Sequence, residues 1–506
     1  MRDAASIGSG LAPARPARPI RPGERIHVVG AAGAGASAAV LLAHHAGAAV
    51  SGCDPSGHSP YTPPIESLGI TLASAHDASH VTRAPCPERL AVTKALTAVD
   101  PGNPELAAAR AAGIPVEPWQ QVVADAAAGR TLVGVAGTHG KSTSAGWLVH
   151  VLVEAGLDPG AFVGALLPPS ISGGLAATAR IGQGRPFVVE ADEYAGNFDP
   201  YRPDVAALVS VEWDHPDVFA DQEAVVKCFV EWLEAAGREV ERPLLVANAG
   251  DAGVLAVVER LASWPGRFML TGLGEVPARL VAGAAAAEVL RGSVVSAEAS
   301  GTVLRLEGSG LSAPLETRIL LAGRHNAANA LVVAGAALAL GVPEGVLGKA
   351  LAGFEGVGRR LERKGEGRGV VVYDDYGHHP TAIRETLAAV RQKEPGKRVW
   401  AVYEPLTYHR TAAMIEQFAE VLAEADGVAV AQIWAGRDPD TTVTSAAALA
   451  AAVSDRNPSI ISAAPGTVEE TAAWLAARVR DGDVVLVMGG GRSYVIAEEL
   501  VKALQA

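Results

Sequence analysis

The segment from Thr131 to Val149 constrains the chain more than any other. A short apolar run, Leu132 to Ala136, predicts a buried strand. It breaks at Gly137-Thr138-His139-Gly140-Lys141-Ser142-Thr143, and the alanine-rich, apolar-periodic stretch from Ser144 onward predicts a helix. A strand, a glycine turn, then a lysine and a hydroxyl at a helix start is the arrangement that cradles phosphate. Glycine lets backbone N–H groups converge on oxygens with no Cβ in the way, Lys141 adds a point charge, and the Ser142 hydroxyl can ligate Mg²⁺. The strict pattern has a glycine five residues before Gly140, where this chain has Val135. A tight turn that merely contains Gly-Lys-Ser is the competing explanation, and the later motifs weigh against it.

A chain of 506 residues has room for roughly three domains of ordinary size. Hydrophobic residues make up 49% and aromatics 5%, so Ala, Val, Leu and Gly carry the apolar content, as in a globular α/β protein. The net charge of −13 without a polybasic block argues against nucleic acid or an acidic membrane surface as partner. Any phosphorylated substrate must be held by local Lys, Arg, Mg²⁺ and helix N-termini. Cys53, Cys86 and Cys228 lie far apart without metal-ligand spacing and read as ordinary reduced thiols of a cytoplasmic protein. Residues 1–24 are rich in Arg, Pro and small residues and lack the apolar core of a signal peptide; a disordered extension is expected, with a transit peptide as the alternative. No stretch is long and apolar enough to span a bilayer, so no membrane insertion is expected.

Arg25 to Val29 reads as a strand, followed by a glycine turn from Gly30 through Gly33 and Gly35 to Ala38, a helix to about Ala46, and a strand from Ala48 to Gly52 that ends at Asp54. Gly33-x-Gly35-x-x-Ala38 with an acid 16 residues further on fits the dinucleotide fingerprint loosely and, read alone, favours NAD. The same physics would let the helix N-terminus receive the diphosphate of a UDP-sugar. The alternation continues through Asn103 to Pro115, up to a linker at 124–130.

Phe187 to Val189 runs into Glu190, Asp192 and Glu193, and the strand Val205 to Val211 runs into Glu212-Trp213-Asp214-His215-Pro216-Asp217. Acids at the carboxyl ends of neighbouring parallel strands lie where a doubly wound sheet places its ligands, and suit Mg²⁺. Asp192, Glu193 and Asp217 read equally well as solvated strand ends, and Lys227 as a surface lysine. Gly323 to Ala330 opens a helix through Leu340 on which His325 and Asn329 share a face. Phe354 to Arg360 reads as a hinge. Beyond it, Val370 to Tyr373, Val399 to Tyr403, Val428 to Ile433 and Val484 to Met488 read as strands alternating with helices, which gives a second Rossmann-like sheet. Asp374-Asp375-Tyr376-Gly377-His378-His379-Pro380-Thr381 is the most specific string after the phosphate loop.

Taken in order, the phosphate loop, Glu190-Ala191-Asp192-Glu193, the Asp214-His215 pair, Gly323 to Asn329 and Asp374 to Thr381 resemble the Mur ligase family. The likeness runs from about Arg25 to the end and is strongest to the members that add L-alanine to UDP-N-acetylmuramate. It implies an α/β fold of three domains: a Rossmann-like UDP-binding domain at 25–128, a central P-loop ATPase-like domain at 129–355, and a C-terminal Rossmann-like domain at 356–506. It implies ATP, UDP-N-acetylmuramate and L-alanine as substrates, Mg²⁺ as cofactor, and a monomer or homodimer. ATP would meet Gly137, Thr138, His139, Gly140, Lys141, Ser142 and Thr143, with His325 and Asn329 at the adenine and Arg360 and Asp375 from the C-terminal domain. Gly30, Gly33, Gly35, Ala36, Ser37 and Asp54 would hold the UDP-sugar, and Ser142, Glu190 and His215 the metal. Lys141, His215, His378 and Arg410 would serve catalysis.

Two stretches depart from the family pattern. After Tyr403, the alanine-adding enzymes read Gln-Pro-His, three residues, then Arg. Here the chain has Glu404-Pro405-Leu406 and then Arg410, and it ends its last strand in Gly489-Gly490-Gly491-Arg492 in place of Gly-Ala-Gly. A ligase for a recycled murein tripeptide is the nearest alternative. An inactive UDP-sugar-binding protein would rest on Leu406, and an NAD-dependent oxidoreductase on the 30–38 turn alone.

Overall fold

The computed structural model describes residues 7–276, 287–436, 438 and 440–506. It is a mixed α/β structure built on three sheets. The first sheet is parallel, in the order β2-β1-β3-β4, from β1 (Arg25–Val29), β2 (Ala49–Cys53), β3 (Arg89–Val92) and β4 (Val116–Pro118). The helices Ala34–His45 and Trp119–Ala126 pack together on it, the latter taking up the first residues of the expected linker.

Residues 7–24 differ from the disordered extension expected for 1–24; residues 1–6 lie outside the described residues. Arg15 is paired with Glu117 at 2.8 Å and Asp125 at 2.8 Å, Arg18 with Glu24 at 2.6 Å, and Ile20 is buried. The cause is charge. Glu24, Glu117 and Asp125 are buried around Arg89, at 3.1, 2.9 and 2.5 Å, so three carboxylates share one guanidinium. Arg15 and Arg18 supply the missing cations.

The second sheet has ten strands: β5 (Thr131–Ala136), β6 (Gly160–Leu167), β7 (Ala177–Arg180), β8 (Pro186–Ala191), β9 (Val205–Leu208), β10 (Leu244–Asn248), β11 (Arg267–Leu273), β12 (Glu288–Glu298), β13 (Gly301–Gly308) and β14 (Leu315–Ile319). Their order is β14-β13-β12-β11-β10-β9-β5-β8-β6-β7. β5 lies between β8 and β9, parallel to both, while β12 to β14 form an antiparallel extension. β5 reads as a continuous apolar run because both of its faces are covered. Helices Lys141–Glu154, Arg324–Ala339 and Glu344–Ala352 cover one face. Gln222–Glu239 and Ala252–Arg260 cover the other, and their core runs on into that of the helix Ala34–His45.

The strand expected at 205–211 stops at Leu208, because Val209 and Ser210 leave the sheet to wall the phosphate loop. The helix expected from Ser144 begins at Lys141.

The third sheet comprises β15 (Glu362–Gly367), β16 (Val370–Asp375), β17 (Val399–Glu404), β18 (Gly427–Ala431), β19 (Ile461–Gly466) and β20 (Val484–Gly489), in the order β15-β16-β20-β17-β18-β19. All pairings are parallel except that of β15 with β16. In the expected hinge, Phe354 and Val357 are buried in the central core and the Gly358 N–H bonds the Leu166 carbonyl at 2.9 Å. The chain turns through Gly356 (φ 114°), Arg359 (φ 58°) and Leu361 (φ 50°). Among the described residues no helix is long and apolar enough to cross a membrane.

Candidate active site

The carboxyl ends of β5, β8, β9 and β16 open on one cavity of about 1280 Å³. The phosphate loop forms its floor. Gly137 (φ 141°) passes so close to the backbone of Ser210 that a Cβ there would lie 2.7 Å from the Ser210 carbonyl. Gly140 (φ 80°) caps the helix Lys141–Glu154 in the left-handed region that favours glycine. The Thr138 N–H bonds the Ser210 carbonyl at 3.0 Å and the His139 N–H bonds its hydroxyl at 2.8 Å, so the loop is held from behind.

Lys141 and Ser142 are both engaged within the chain. Lys141 Nζ is 2.9 Å from Glu193 Oε2 and 3.5 Å from Asp192 Oδ1. Burial alone would lower the Lys141 pKa; the charges of Glu193 and Asp192 outweigh it and hold the ammonium above the ordinary lysine range. Glu193, which could be read as a solvated strand end, is 1% exposed. Ser142 Oγ donates to Glu190 Oε1 at 3.0 Å and accepts from Arg360 Nη2 at 2.9 Å. The other Glu190 oxygen accepts the Gly164 N–H at 2.6 Å. A hydroxyl beside a carboxylate, facing a cavity, is a donor set of hard oxygens that fits Mg²⁺, and the Arg360 guanidinium places a cation there. His215 (φ 56°) lines the same cavity, with its ring 4.7 Å from that of Tyr194. Asp217 accepts from the Tyr194 hydroxyl at 2.9 Å.

His325 and Asn329 line the cavity from the helix Arg324–Ala339, as their spacing predicts. His325 Nδ1 is 3.1 Å from Glu385 Oε2, and the Asn329 amide lies close over Gly140. Asp375 is buried. Its carboxylate accepts the Leu361 N–H at 2.7 Å and the Gly377 N–H at 2.6 Å, so it orders the turn that carries Arg360. Thr381 donates to Glu212 at 2.7 Å, and Glu212 also faces His139 Nε2 at 2.9 Å. Burial and the neighbouring His139 lower the His379 pKa to about 4.

His378 lines the cavity and is half-buried. Burial first, then the charge of Arg410, pushes its pKa well below the ordinary histidine range. Its Nδ1 is 2.9 Å from the Tyr376 carbonyl, which can only accept, so Nδ1 carries the proton and Nε2 presents a lone pair. Arg410 is 5% exposed and donates from Nη2 to Asp214 Oδ1. Arg410 thus does not stand open to the cavity, as a residue free to grip a substrate would. Its buried Nε has no hydrogen-bond partner among the described residues, which leaves one donor edge unused. Leu406, Thr407 and Trp434 line the cavity beside it.

The six residues expected to hold a UDP-sugar lie apart, none lining this cavity. Gly33 caps the helix Ala34–His45 without a side-chain cap, leaving its first N–H groups for a ligand. Asp54 Oδ2 accepts the Ala32 N–H at 2.9 Å and so fixes the turn that begins at Gly30. Two expectations change. Gly35 backs onto Trp119, where a Cβ would lie 2.1 Å from the indole, so its smallness serves packing. Ala36 and Ser37 are buried, with the Ser37 hydroxyl donating to the Ala34 carbonyl at 2.9 Å and 3.1 Å from Thr178 Oγ1. Lys94 clamps this part to the central one through the carbonyls of Ala195 at 2.9 Å and Gly196 at 2.6 Å.

Several pairings escaped sequence reasoning. Asp214 and Arg410 are 196 residues apart, and no local pattern joins them. Arg359 bonds Asp374 at 3.0 Å, the Gly489 carbonyl at 2.8 Å and Ser493 at 2.7 Å, tying the first and last turns of the third sheet together.

Three family models match the chain in succession: "Mur ligase family, catalytic domain" over residues 25–131, "Mur ligase middle domain" over 135–337, and "Mur ligase, glutamate ligase domain" over 359–491. The chain is 36% identical over 494 residues to the UDP-N-acetylmuramate–L-alanine ligase of Kineococcus radiotolerans, covering 95% of this chain and 96% of that one. Its fold is similar to that of UDP-N-acetylmuramate-alanine ligase MurC from Thermotoga maritima, with TM-score 0.74, 23% identity, and coverage of 94% and 98% of the two chains. It is also similar to that of a murein peptide ligase from Psychrobacter arcticus, with TM-score 0.70, 24% identity, and coverage of 95% and 99%.

Proposed function

The chain belongs to the Mur ligase family, and from that premise we propose that it joins the amino group of L-alanine to the lactyl carboxylate of UDP-N-acetylmuramate, cleaving ATP to ADP and phosphate. The observation that carries the reading is convergence. One cavity is lined by Lys141 and Ser142 of the phosphate loop, by Arg360 and Asp375 from the third sheet, and by His378. Relatives at 36% identity over 95% of the chain support the same reading. An oxidoreductase would leave the phosphate loop without a use.

In this reading the phosphate loop and Lys141 receive the β- and γ-phosphates, and the Lys141 ammonium exchanges Glu193 for phosphate oxygens. The lactyl carboxylate attacks the γ-phosphorus, ADP leaves, and an acyl phosphate forms. The amine of alanine then adds to the acyl carbon and phosphate departs. The protein's part is to position groups and to neutralise charge. Ser142 and Glu190, with His215 nearby, would hold Mg²⁺, which when bound offsets phosphate charge. The amine enters in its neutral form, and His378 Nε2, kept neutral by its surroundings, takes the proton that the nitrogen sheds as it adds to the acyl carbon. Arg410, closed off from the cavity here, reaches the alanine carboxylate with its unpaired Nε once its side chain shifts toward the cavity, while Nη2 stays on Asp214. The helix N-terminus at Gly33 receives the UDP diphosphate. Soluble nucleotide substrates put the reaction in the cytoplasm.

Purified protein mixed with ATP, Mg²⁺ and UDP-N-acetylmuramate should release phosphate when L-alanine is added. Release that required a tripeptide, with free alanine inert, would replace this reading by that of a murein peptide ligase.

A further inference from the structure

The fold gathers a second chemical cluster that the spacing of the cysteines conceals. Cys53 ends β2 and is fully buried, as is Glu105 at the start of the helix Pro104–Ala111. Cys53 Sγ is 3.2 and 3.1 Å from the two Glu105 oxygens and 3.2 Å from His76 Nδ1. His80 Nδ1 bonds Glu105 Oε1, and His76 Nδ1 is 3.3 Å from Oε2. His27, on β1, turns Nδ1 to the Ser51 hydroxyl at 2.8 Å and Nε2 toward Glu105 Oε1 at 3.5 Å. That Nε2 is buried, on a residue 2% exposed, and has no hydrogen-bond partner among the described residues. One ligand atom from each of His27, Cys53, His80 and Glu105 lies within 4.8 Å of every other.

We propose that His27 Nε2, the Cys53 thiolate, His80 Nδ1 and a Glu105 oxygen form a structural zinc site, with His76 bonded to the sulfur and carboxylate from outside. Geometry supports it. Zinc bonds of about 2.0 to 2.3 Å in a tetrahedron put ligand atoms roughly 3.3 to 3.8 Å apart, and the Cys53 Sγ–Glu105 separations of 3.1 and 3.2 Å and the His27 Nε2–Glu105 Oε1 separation of 3.5 Å lie in or at the edge of that range. His80 Nδ1 is hydrogen-bonded to the same Oε1, closer than two ligands of one ion, and would draw back as the zinc replaces that bond. Charge supports it too. A thiolate and a carboxylate carry two negative charges, two imidazoles carry none, and a divalent cation leaves the buried site neutral. Thiolate with imidazole selects zinc over magnesium. On binding, the Cys53 S–H proton goes to solvent and the sulfur–zinc bond forms, with no change of oxidation state. His76 and His80, with side chains 15% and 24% exposed, offer the way in.

None of these five residues lines the large cavity, so the site stands independently of the ligase reading. Its consequence is local. The Cys53 carbonyl accepts the N–H groups of Gly30 at 2.9 Å and Ala31 at 3.0 Å, so a metal on Cys53 would brace the glycine turn from behind.

The full chain, stripped with a chelator, should rebind one equivalent of Zn²⁺, and Co²⁺ in its place should give a thiolate-to-metal charge-transfer band. Cys53→Ser should lose the band. His80→Ala, on the accessible side of the cluster, should bind zinc at least tenfold more weakly. His379→Ala, which disrupts a second His/Glu group found among the described residues (His139, Glu212 and His379), should bind as the parent does. Stoichiometric zinc retained by both Cys53→Ser and His80→Ala, zinc lost only in His379→Ala, or no zinc bound by the parent would overturn the proposal. If Cys53→Ser failed to fold, metal content and affinity of His80→Ala would decide.

Discussion

Arg360, in the turn into the third sheet, donates from Nη2 to the hydroxyl of Ser142 in the phosphate loop, 2.9 Å away and 218 residues earlier. The guanidinium also lies over the Tyr376 ring, 4.9 Å from its centroid. A nucleotide entering the cavity finds this cation already on the loop. Arg360→Ala should lower kcat/KM for ATP by roughly 10- to 100-fold, the equivalent of about 1.5 to 3 kcal/mol for a charged hydrogen bond. Arg360→Lys should recover only part. Steady-state kinetics with ATP varied would measure both, and an unchanged KM and kcat in Arg360→Ala would remove the residue from the nucleotide site.

Lys141→Ala should abolish phosphate release. Because the half-buried Lys141 is the partner of buried Glu193, it should also destabilise the fold, by up to about 3 to 5 kcal/mol if Glu193 stays ionised and less if it protonates. Lys141→Ala with Glu193→Gln should restore the melting temperature without restoring ligation. Recovery of both would show that the lysine serves structure alone.

Arg410→Ala should raise the KM for alanine by about 10- to 100-fold, again from roughly 1.5 to 3 kcal/mol, and change that for ATP little. It also leaves Asp214 buried without its guanidinium, so a fall in melting temperature should accompany the change. Equal effects on the two KM values would count against a contact with the amino acid.

Glu190→Ala and His215→Ala should each raise the Mg²⁺ concentration needed for half-maximal activity, and excess Mg²⁺ should rescue part of the rate. Normal activity with no shift in the Mg²⁺ curve would make both residues structural.

The N-terminal segment should leave a mark on acid stability. Burial alone would raise the Glu24 pKa; hydrogen bonds from Arg18 and the Arg21 N–H, with the charge of Arg89, override it and bring the pKa to about 2. A folded pKa below the unfolded one gives stability that is full above about 4.5 and is lost as the pH falls toward 2. Glu24→Gln should therefore flatten the acid limb of the stability curve. Chemical denaturation at several pH values would test this, and an acid limb as steep as the parent's would refute it.

The sequence carries the elements whose signal is local. The β5 run, the glycine turn and the helix after it were legible because apolar periodicity and glycine placement are short-range, and the same holds for β8, β16 and the helix of His325 and Asn329. What escaped was set by packing. Ser37 looks like a ligand-facing hydroxyl until Thr178, from the central sheet, turns out to occupy it. Glu193 looks like a solvated strand end until Lys141 is seen against it. Arg15 and Arg18 belong to an extension by composition, yet partners about a hundred residues later fix Arg15 in place. Arg410 was found by motif, but its commitment to Asp214 depends on the third sheet meeting the second.

The placing of β5 between β8 and β9 has a consequence for synthesis on the ribosome. The phosphate loop is complete in sequence once Thr143 has been made, but the wall that shapes it is Ser210, and β5 gains its neighbours only with Pro186–Ala191 and Val205–Leu208. A nascent chain paused before residue 186 holds the loop's residues with neither flanking strand, and an apolar segment open on both edges. The interval between making the loop and making its wall is the period in which this chain most needs to be kept from other strands.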